Sequence, residues 1–249
     1  MTRLAPGRLR AVLFDAGNTL MRMNYPAIAG HLEGRGHAIA VEAIEEAELR
    51  ARVRLDADLA RGASTEGRSA QDSYLVYLLE ALGITAPDEI EAAAGFRRSY
   101  NAPAGLFNVA DPHALPAILR VKSAGLVAGV VSNSNGCARA LLAGAGLGDA
   151  LDFVIDSAEV GVEKPDPKIF RLGLERAGVA AHEAVYVGDL YSVDVLGSLA
   201  AGLGAILLDP RGFWGPRDCD TARGLVEAAG LVLDPTWDPS WRGIKKEQS

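Results

Sequence analysis

Apolar positions fall into two textures along this chain. At Arg10-Ala11-Val12-Leu13-Phe14-Asp15, four consecutive apolar residues stop abruptly at a carboxylate, and Ala16-Gly17-Asn18-Thr19 follow. A continuous apolar run of this kind predicts a strand buried on both faces. Beyond Leu20 the spacing turns helical, and the stretch from Met21 to Gly105 holds no convincing strand pattern. It predicts helices over Pro26–Arg35, Glu42–Arg61, Gln71–Leu82 and Asp88–Tyr100, the second dense in Ala, Glu, Arg and Leu, the last with Pro87 just ahead. Alternation then returns. A helix is expected from Asp111, as N-cap with Pro112 in the first turn, to Ala124. Strands are expected at Val127–Val131, Phe153–Ile155, Ala184–Val187 and Ala205–Leu208. Helices are expected at Cys137–Ala145, Pro167–Ala177 and Val193–Ala201, then a weaker helix at Cys219–Ala229 and a strand at Leu231–Leu233. Pro235–Ser249 is polar and turn-rich apart from Trp237 and Trp241, and reads as a peripheral tail.

Strands alternating with helices predict an α/β fold, a doubly wound parallel sheet. The helical stretch interrupts it as an inserted domain, dividing the chain into residues 1–20, 21–105 and 106–249. The length of 249 residues suits such a core with one insertion. A formal charge of −7 gives no general attraction to phosphate backbones or anionic lipid, which argues against nucleic-acid and membrane-surface roles. No apolar run approaches the roughly 20 residues that span a bilayer, and residues 1–10 lack the apolar stretch of a signal peptide. Cys137 and Cys219 fall outside any ligand-spaced pattern, so neither a disulfide framework nor a zinc site is supported. The expectation is a cytoplasmic protein.

Candidate chemistry sits where predicted strands end. Asp15 closes the first strand; Val131 leads into Ser132-Asn133-Ser134-Asn135-Gly136; Val187 leads into Gly188-Asp189-Leu190-Tyr191-Ser192-Val193-Asp194. Between the last two, Lys164 lies in a proline-stiffened loop, Glu163-Lys164-Pro165-Asp166-Pro167. Taken singly, each has an ordinary explanation: a turn, a helix cap, a solvated lysine. Taken together they share one rim, because a parallel sheet gathers the C-terminal ends of its strands. Three carboxylates and one ammonium there leave excess negative charge. Two like charges about 4 Å apart repel by about 4 kcal/mol at an effective dielectric near 20. A divalent cation relieves that, and an all-oxygen site suits magnesium. Lys164, Ser132 and the N-terminus of the helix after Gly136 would then hold an anion beside it.

The order Asp-x-x-x-Thr, strand-Ser-Asn, Lys-Pro, Gly-Asp-x-x-x-x-Asp resembles the haloacid dehalogenase superfamily of hydrolases, over about Leu13 to Gly202. The helical insertion after the first motif is similar to that superfamily's helical cap. The resemblance implies a Rossmann-like core and an Asp15 nucleophile that forms an aspartyl-phosphate, which water hydrolyses. It implies magnesium on Asp15, the Gly17 carbonyl and Asp189, with Asp194 close behind. Ser132, Asn133 and Lys164 would bind the transferring phosphoryl group of a small phosphorylated substrate, Lys164 also serving catalysis, and Thr19 would hydrogen-bond Asp15.

One position departs from that pattern. Phosphatases of the superfamily carry a second Asp two residues after the nucleophile as general acid and base; here it is Gly17. Such a group is typically worth 10²–10⁴-fold. Asn18 replaces a usual glycine, though Asn tolerates left-handed backbone. Branches that lack the Asp can be weighed on residues. A dehalogenase must admit a carboxylate substrate, which Asp189 and Asp194 would repel. Phosphonate cleavage through a cap lysine fails because Met21–Gly105 contains no lysine, and arginine stays protonated. An ion pump needs spanning helices. The expectation is a magnesium-dependent phosphohydrolase with a weakened acid/base step; the alternative is a binding or regulatory protein on a degenerate hydrolase scaffold. Arg22, Arg97 and Arg98 are candidates to meet an anionic substrate, more simply read as solvated helix-face charges. Tyr74 and Tyr77 read as packing residues, and His31 and His37 as surface residues.

Overall fold

The computed structural model describes residues 9–102 and 104–237. The chain divides into two compact units, a helical one over Arg22–Val109 and one built from the residues on either side. The second holds a six-stranded parallel sheet: β1 (Ala11–Phe14), β4 (Val127–Ser132), β5 (Phe153–Asp156), β6 (Ala184–Gly188), β7 (Gly204–Leu208) and β8 (Asp220–Ala222). Its order is β5-β4-β1-β6-β7-β8. Phe14 lies opposite both Val130 and Val187, so β1 is central and pairs on both edges. The connections run outward from β1 in both directions, which makes its C-terminal end the switch point where an open α/β sheet offers a crevice.

Period-two alternation gives the sheet two apolar faces. Val12, Phe14, Val130 and Val187 pack with α5 (Ala114–Ser123), α6 (Ala138–Gly144) and α10 (Leu225–Leu233). Leu13, Val131 and Tyr186 pack on the other side with Ile169 and Phe170 of α8 (Pro167–Ala177). This is the doubly wound arrangement that the alternation of elements predicts, and the Rossmann-like core that the resemblance implies. The helical unit carries its own core, in which Ile28, Leu32, Ile44 and Leu78 are buried. Its helices are α1 (Tyr25–Gly34), α2 (Val41–Leu59), α3 (Arg68–Ala81) and α4 (Pro87–Ser99). The short strands β2 (Met21–Arg22) and β3 (Val109–Ala110), which no apolar pattern announced, pair as a ribbon where the chain leaves and re-enters the sheet unit.

Several elements differ from the sequence expectation. Helix α5 starts at Ala114, because the Asp111 carboxylate accepts from the His113 amide (2.8 Å) and closes a turn ahead of the helix. The expected helix at Cys219–Ala229 and strand at Leu231–Leu233 are reversed in order. Residues Asp220–Ala222 extend the sheet beside β7, with Ile206 opposite Asp220. Leu225, Ala228, Ala229 and Val232 then line the buried face of α10 at helical spacing. The helix expected from Val193 begins as a π-helical turn over Tyr191–Val195 before α9 (Leu196–Ala200). A one-turn helix, α7 (Ser157–Val160), follows β5. In the expected tail, Trp237 packs against the first core face; residues 238–249, with Trp241, lie outside the described residues.

Candidate active site

Asp15 stands at the switch point. Its amide donates to the Val187 carbonyl (2.9 Å), continuing the β1–β6 ladder by one step and delivering the side chain just beyond the sheet. The following turn is tight: the amides of Leu20 and Met21 both donate to the Ala16 carbonyl (3.0 and 2.8 Å). Asn18 adopts a left-handed conformation, φ 52°, at the position where the sequence lacks a glycine. Thr19 does not make the expected bond to Asp15; its Oγ1 is buried and has no partner among the described residues.

Lys164 is 4% exposed, far from the solvated lysine its loop position alone suggests. Its ammonium donates to Asp15 Oδ1 (2.6 Å), Asp194 Oδ1 (2.7 Å) and the Tyr186 hydroxyl (3.0 Å). Burial works to lower its pKa, and the carboxylates of Asp15 and Asp194 more than offset it, holding the ammonium charged well above the usual range. For Asp15 burial dominates: it pushes the pKa up to about 6 against the Lys164 charge, with Asp194 adding to the rise. Asp194 Oδ2 accepts from the amides of Asp189 and Leu190 (3.0 and 2.9 Å). Gly188 makes this fold-back possible, since a Cβ there would lie 2.5 Å from the Asp194 carboxyl carbon. Oxygens of Asp15, Asp189 and Asp194 come within 4.8 Å of one another, and all three residues are buried. Such an all-carboxylate donor set fits a hard divalent cation such as magnesium.

The end of β4 behaves differently from the expectation. Ser132 is buried, its Oγ donating to the Asn133 carbonyl (3.2 Å). The Asn133 carboxamide, expected on the phosphoryl group, bonds the backbone of Lys164: Oδ1 accepts from its amide (2.7 Å) and Nδ2 donates to its carbonyl (2.9 Å). The helix N-terminus after Gly136, expected to hold an external anion, holds the protein's own. Asp156, fully buried at the end of β5, accepts from the amides of Gly136, Ala138 and Ala158 (3.1, 3.1 and 3.0 Å). The Ser157 hydroxyl accepts from the Ser134 amide (3.0 Å) and donates to its carbonyl (3.2 Å). Sequence reasoning ended the strand at Ile155 and so missed Asp156, although a carboxylate closing a strand on this rim is the signal that marked Asp15. Tyr186 was missed because, inside Ala-Val-Tyr-Val, it reads as a core aromatic.

In the helical unit, every described arginine side chain is in an ion pair; Arg22 meets Glu45, Arg97 meets Asp72 and Arg98 meets Glu91. Tyr74 and Tyr77 do more than pack, donating to Glu48 and to Asp58 (2.6 Å) respectively. His31 stacks on Phe96 (4.5 Å), and His37 lies 3.5 Å from Glu89, so neither is simply a surface residue.

A family model described as a haloacid dehalogenase-like hydrolase matches residues 9–202. The chain belongs to that family. Among relatives, it is 31% identical over 198 residues to a glyceraldehyde 3-phosphate phosphatase from Methanopyrus kandleri, covering 78% of this chain and 82% of the relative. It is 45% identical over 84 residues to haloacid dehalogenase-like hydrolase domain-containing protein 3 of Mus musculus. That match spans about a third of the mouse protein's length, 34% of each chain. Among solved structures it is similar to an HAD phosphatase from Thermococcus onnurineus, at 25% identity and TM-score 0.55 over 90% of this chain and 98% of that one. It is also similar to a 2-haloacid dehalogenase from Pseudomonas syringae pv. Tomato DC3000, at 27% identity and TM-score 0.53 over the same shares. The family is one of hydrolases, and proteins named as phosphatases are among the chain's relatives.

Proposed function

We propose that this protein is a magnesium-dependent phosphohydrolase that acts on a small phosphorylated metabolite through an aspartyl-phosphate on Asp15. The observation that carries the reading is the buried group of Asp15, Lys164, Asp189 and Asp194 at the switch point of the sheet. An Asp15 carboxylate oxygen attacks phosphorus, and the bond to the leaving oxygen breaks with its electron pair going to the leaving group. Ser132 and the Lys164 ammonium hold the transferring phosphoryl group, Lys164 meeting the charge that develops there. Water then attacks phosphorus, the bond to Asp15 breaks and phosphate is released. Asp15, Asp189 and Asp194, with the Gly17 carbonyl, would hold the cation, which when bound supplies charge neutralisation for the phosphoryl transfer. The helical unit would act as a cap that sets substrate choice.

Gly17 bears no proton donor, which favours leaving groups that depart without one. The expected ranking is acetyl phosphate and p-nitrophenyl phosphate ahead of a hexose phosphate, each dependent on magnesium and lost in EDTA. Hexose phosphate turned over as fast as acetyl phosphate would defeat the leaving-group reading.

A second reading, hydrolytic dehalogenation, is favoured by Gly17 together with the likeness to a dehalogenase fold. There Asp15 would attack the halogen-bearing carbon and expel halide, and water would hydrolyse the resulting ester. Three buried carboxylates around one ammonium repel a carboxylate substrate, which places this reading second. Halide release from 2-chloropropionate, absent in Asp15→Asn and indifferent to EDTA, would reverse the order.

A further inference from the structure

Lys164 is gripped at both ends, and we propose that Asn133 and Tyr186 are positioning residues that set where its ammonium stands. The proposal rests on the phosphohydrolase reading of the site. A lysine stem is long and flexible, and its head is a point charge with three donors and no preferred direction of its own. Such a group is useful beside a transferring phosphoryl only if something else fixes it. At the main chain, the Asn133 carboxamide takes the Lys164 amide at 2.7 Å and gives to its carbonyl at 2.9 Å. That imitates one rung of a sheet between residues 31 apart in sequence. At the head, the Tyr186 hydroxyl accepts from Lys164 Nζ at 3.0 Å and donates its own proton to the Val131 carbonyl at 2.6 Å. The Tyr186 ring is held in turn by the edge of Phe170, with ring centres 5.0 Å apart.

Both grips lead to the same place. Val131 and Asn133 flank Ser132, so Lys164 is tied to the strand end that carries the other phosphoryl-binding candidate. Asp15, Asp194 and Tyr186 together account for all three ammonium protons. Without the hydroxyl, one proton faces no acceptor and the ammonium can swing between the two carboxylates. Neither Asn133 nor Tyr186 needs to touch the substrate; each acts through Lys164.

The test is a double-mutant cycle. Tyr186→Phe and Asn133→Ala are each made alone and on Lys164→Met, which keeps the apolar stem. Turnover of acetyl phosphate with magnesium, calorimetric binding of inorganic phosphate and thermal melting are measured for each. Misplacing a reacting group by about an ångström costs up to roughly a hundredfold. Tyr186→Phe is therefore expected to lower kcat by roughly ten- to a hundredfold while melting moves by only a few degrees. On Lys164→Met the same change is expected to alter turnover, or phosphate affinity where turnover is lost, by less than about twofold. Asn133→Ala is expected to follow the same pattern. Equal losses on both backgrounds, or a Tyr186→Phe enzyme indistinguishable from wild type, would overturn the proposal while leaving the phosphohydrolase reading intact. A wild-type protein that neither hydrolyses acetyl phosphate nor binds phosphate would remove that reading, and this proposal with it.

Discussion

Gly17 and Asp15 carry the chemical individuality of the site. Restoring a carboxyl by Gly17→Asp is expected to raise hexose phosphate hydrolysis roughly a hundredfold while changing acetyl phosphate little, because only the former leaving group needs a proton. Parallel kcat/KM measurements on the two substrates check this; equal effects on both would contradict it. Asp15 also sets a pH dependence opposite to that of an ordinary salt-bridged carboxylate. Its pKa in the folded protein is raised, chiefly by burial, from 3.8 to about 6. Between those values the unfolded chain has released the proton that the native protein keeps. The stability that Asp15 contributes is therefore present below pH 4 and lost as pH rises through 6. Denaturant unfolding of wild type and Asp15→Asn in EDTA, from pH 4 to pH 7, should show the wild type losing ground to the variant across that window. A bound cation favours the ionised form and moves the window down.

At the scale of elements, the helical unit is knit by one buried polar cluster. Glu48 of α2 is fully buried; it accepts from Arg52 of the same helix (3.0 and 2.7 Å) and from Tyr25 of α1 (3.0 Å), and Tyr74 of α3 joins them. Removing one partner of a buried, hydrogen-bonded ion pair costs about 3–5 kcal/mol. Glu48→Ala is expected to destabilise by that order in urea titrations, and a cost below about 1 kcal/mol would show the cluster to be dispensable. Gly188→Ala makes the matching point in the sheet unit, because its methyl would meet Asp194 and disturb the carboxylate group. Elements with a clear local pattern were legible from sequence: the buried run of β1, the four helices of the insertion, and α8 over Pro167–Ala177. Those that escaped lack a local signal. Residues Asp220–Ala222 become a strand only because β7 offers an edge, and Tyr191–Val195 widens into a π-helical turn around Asp194. Motif spacing likewise picked out Asp15, Lys164, Asp189 and Asp194, which the fold gathers. It could not show that Asn133 faces the Lys164 backbone, that Thr19 leaves Asp15 alone, or that Tyr186 reaches Lys164. Those depend on which side chains meet across strands.

Across the whole molecule, cation binding couples the site to stability. A cation that binds only the native state adds about 2.7 kcal/mol when present at a hundred times its Kd. Magnesium should therefore raise the melting temperature of the wild type, and the rise should vanish in Asp189→Asn. A melting temperature indifferent to magnesium would argue against a cation at this site and for the dehalogenase reading, whereas magnesium binding without turnover would argue for the scaffold alternative. No helix among the described residues is long and apolar enough to cross a membrane. The central claim is phosphoryl transfer to Asp15, and phosphate release from acetyl phosphate tests it most directly, with wild type and Asp15→Asn compared in magnesium and in EDTA. Turnover by the wild type in magnesium alone, abolished in Asp15→Asn, is the predicted result. Turnover that survives in Asp15→Asn, or a wild type that binds magnesium and releases no phosphate, would contradict it.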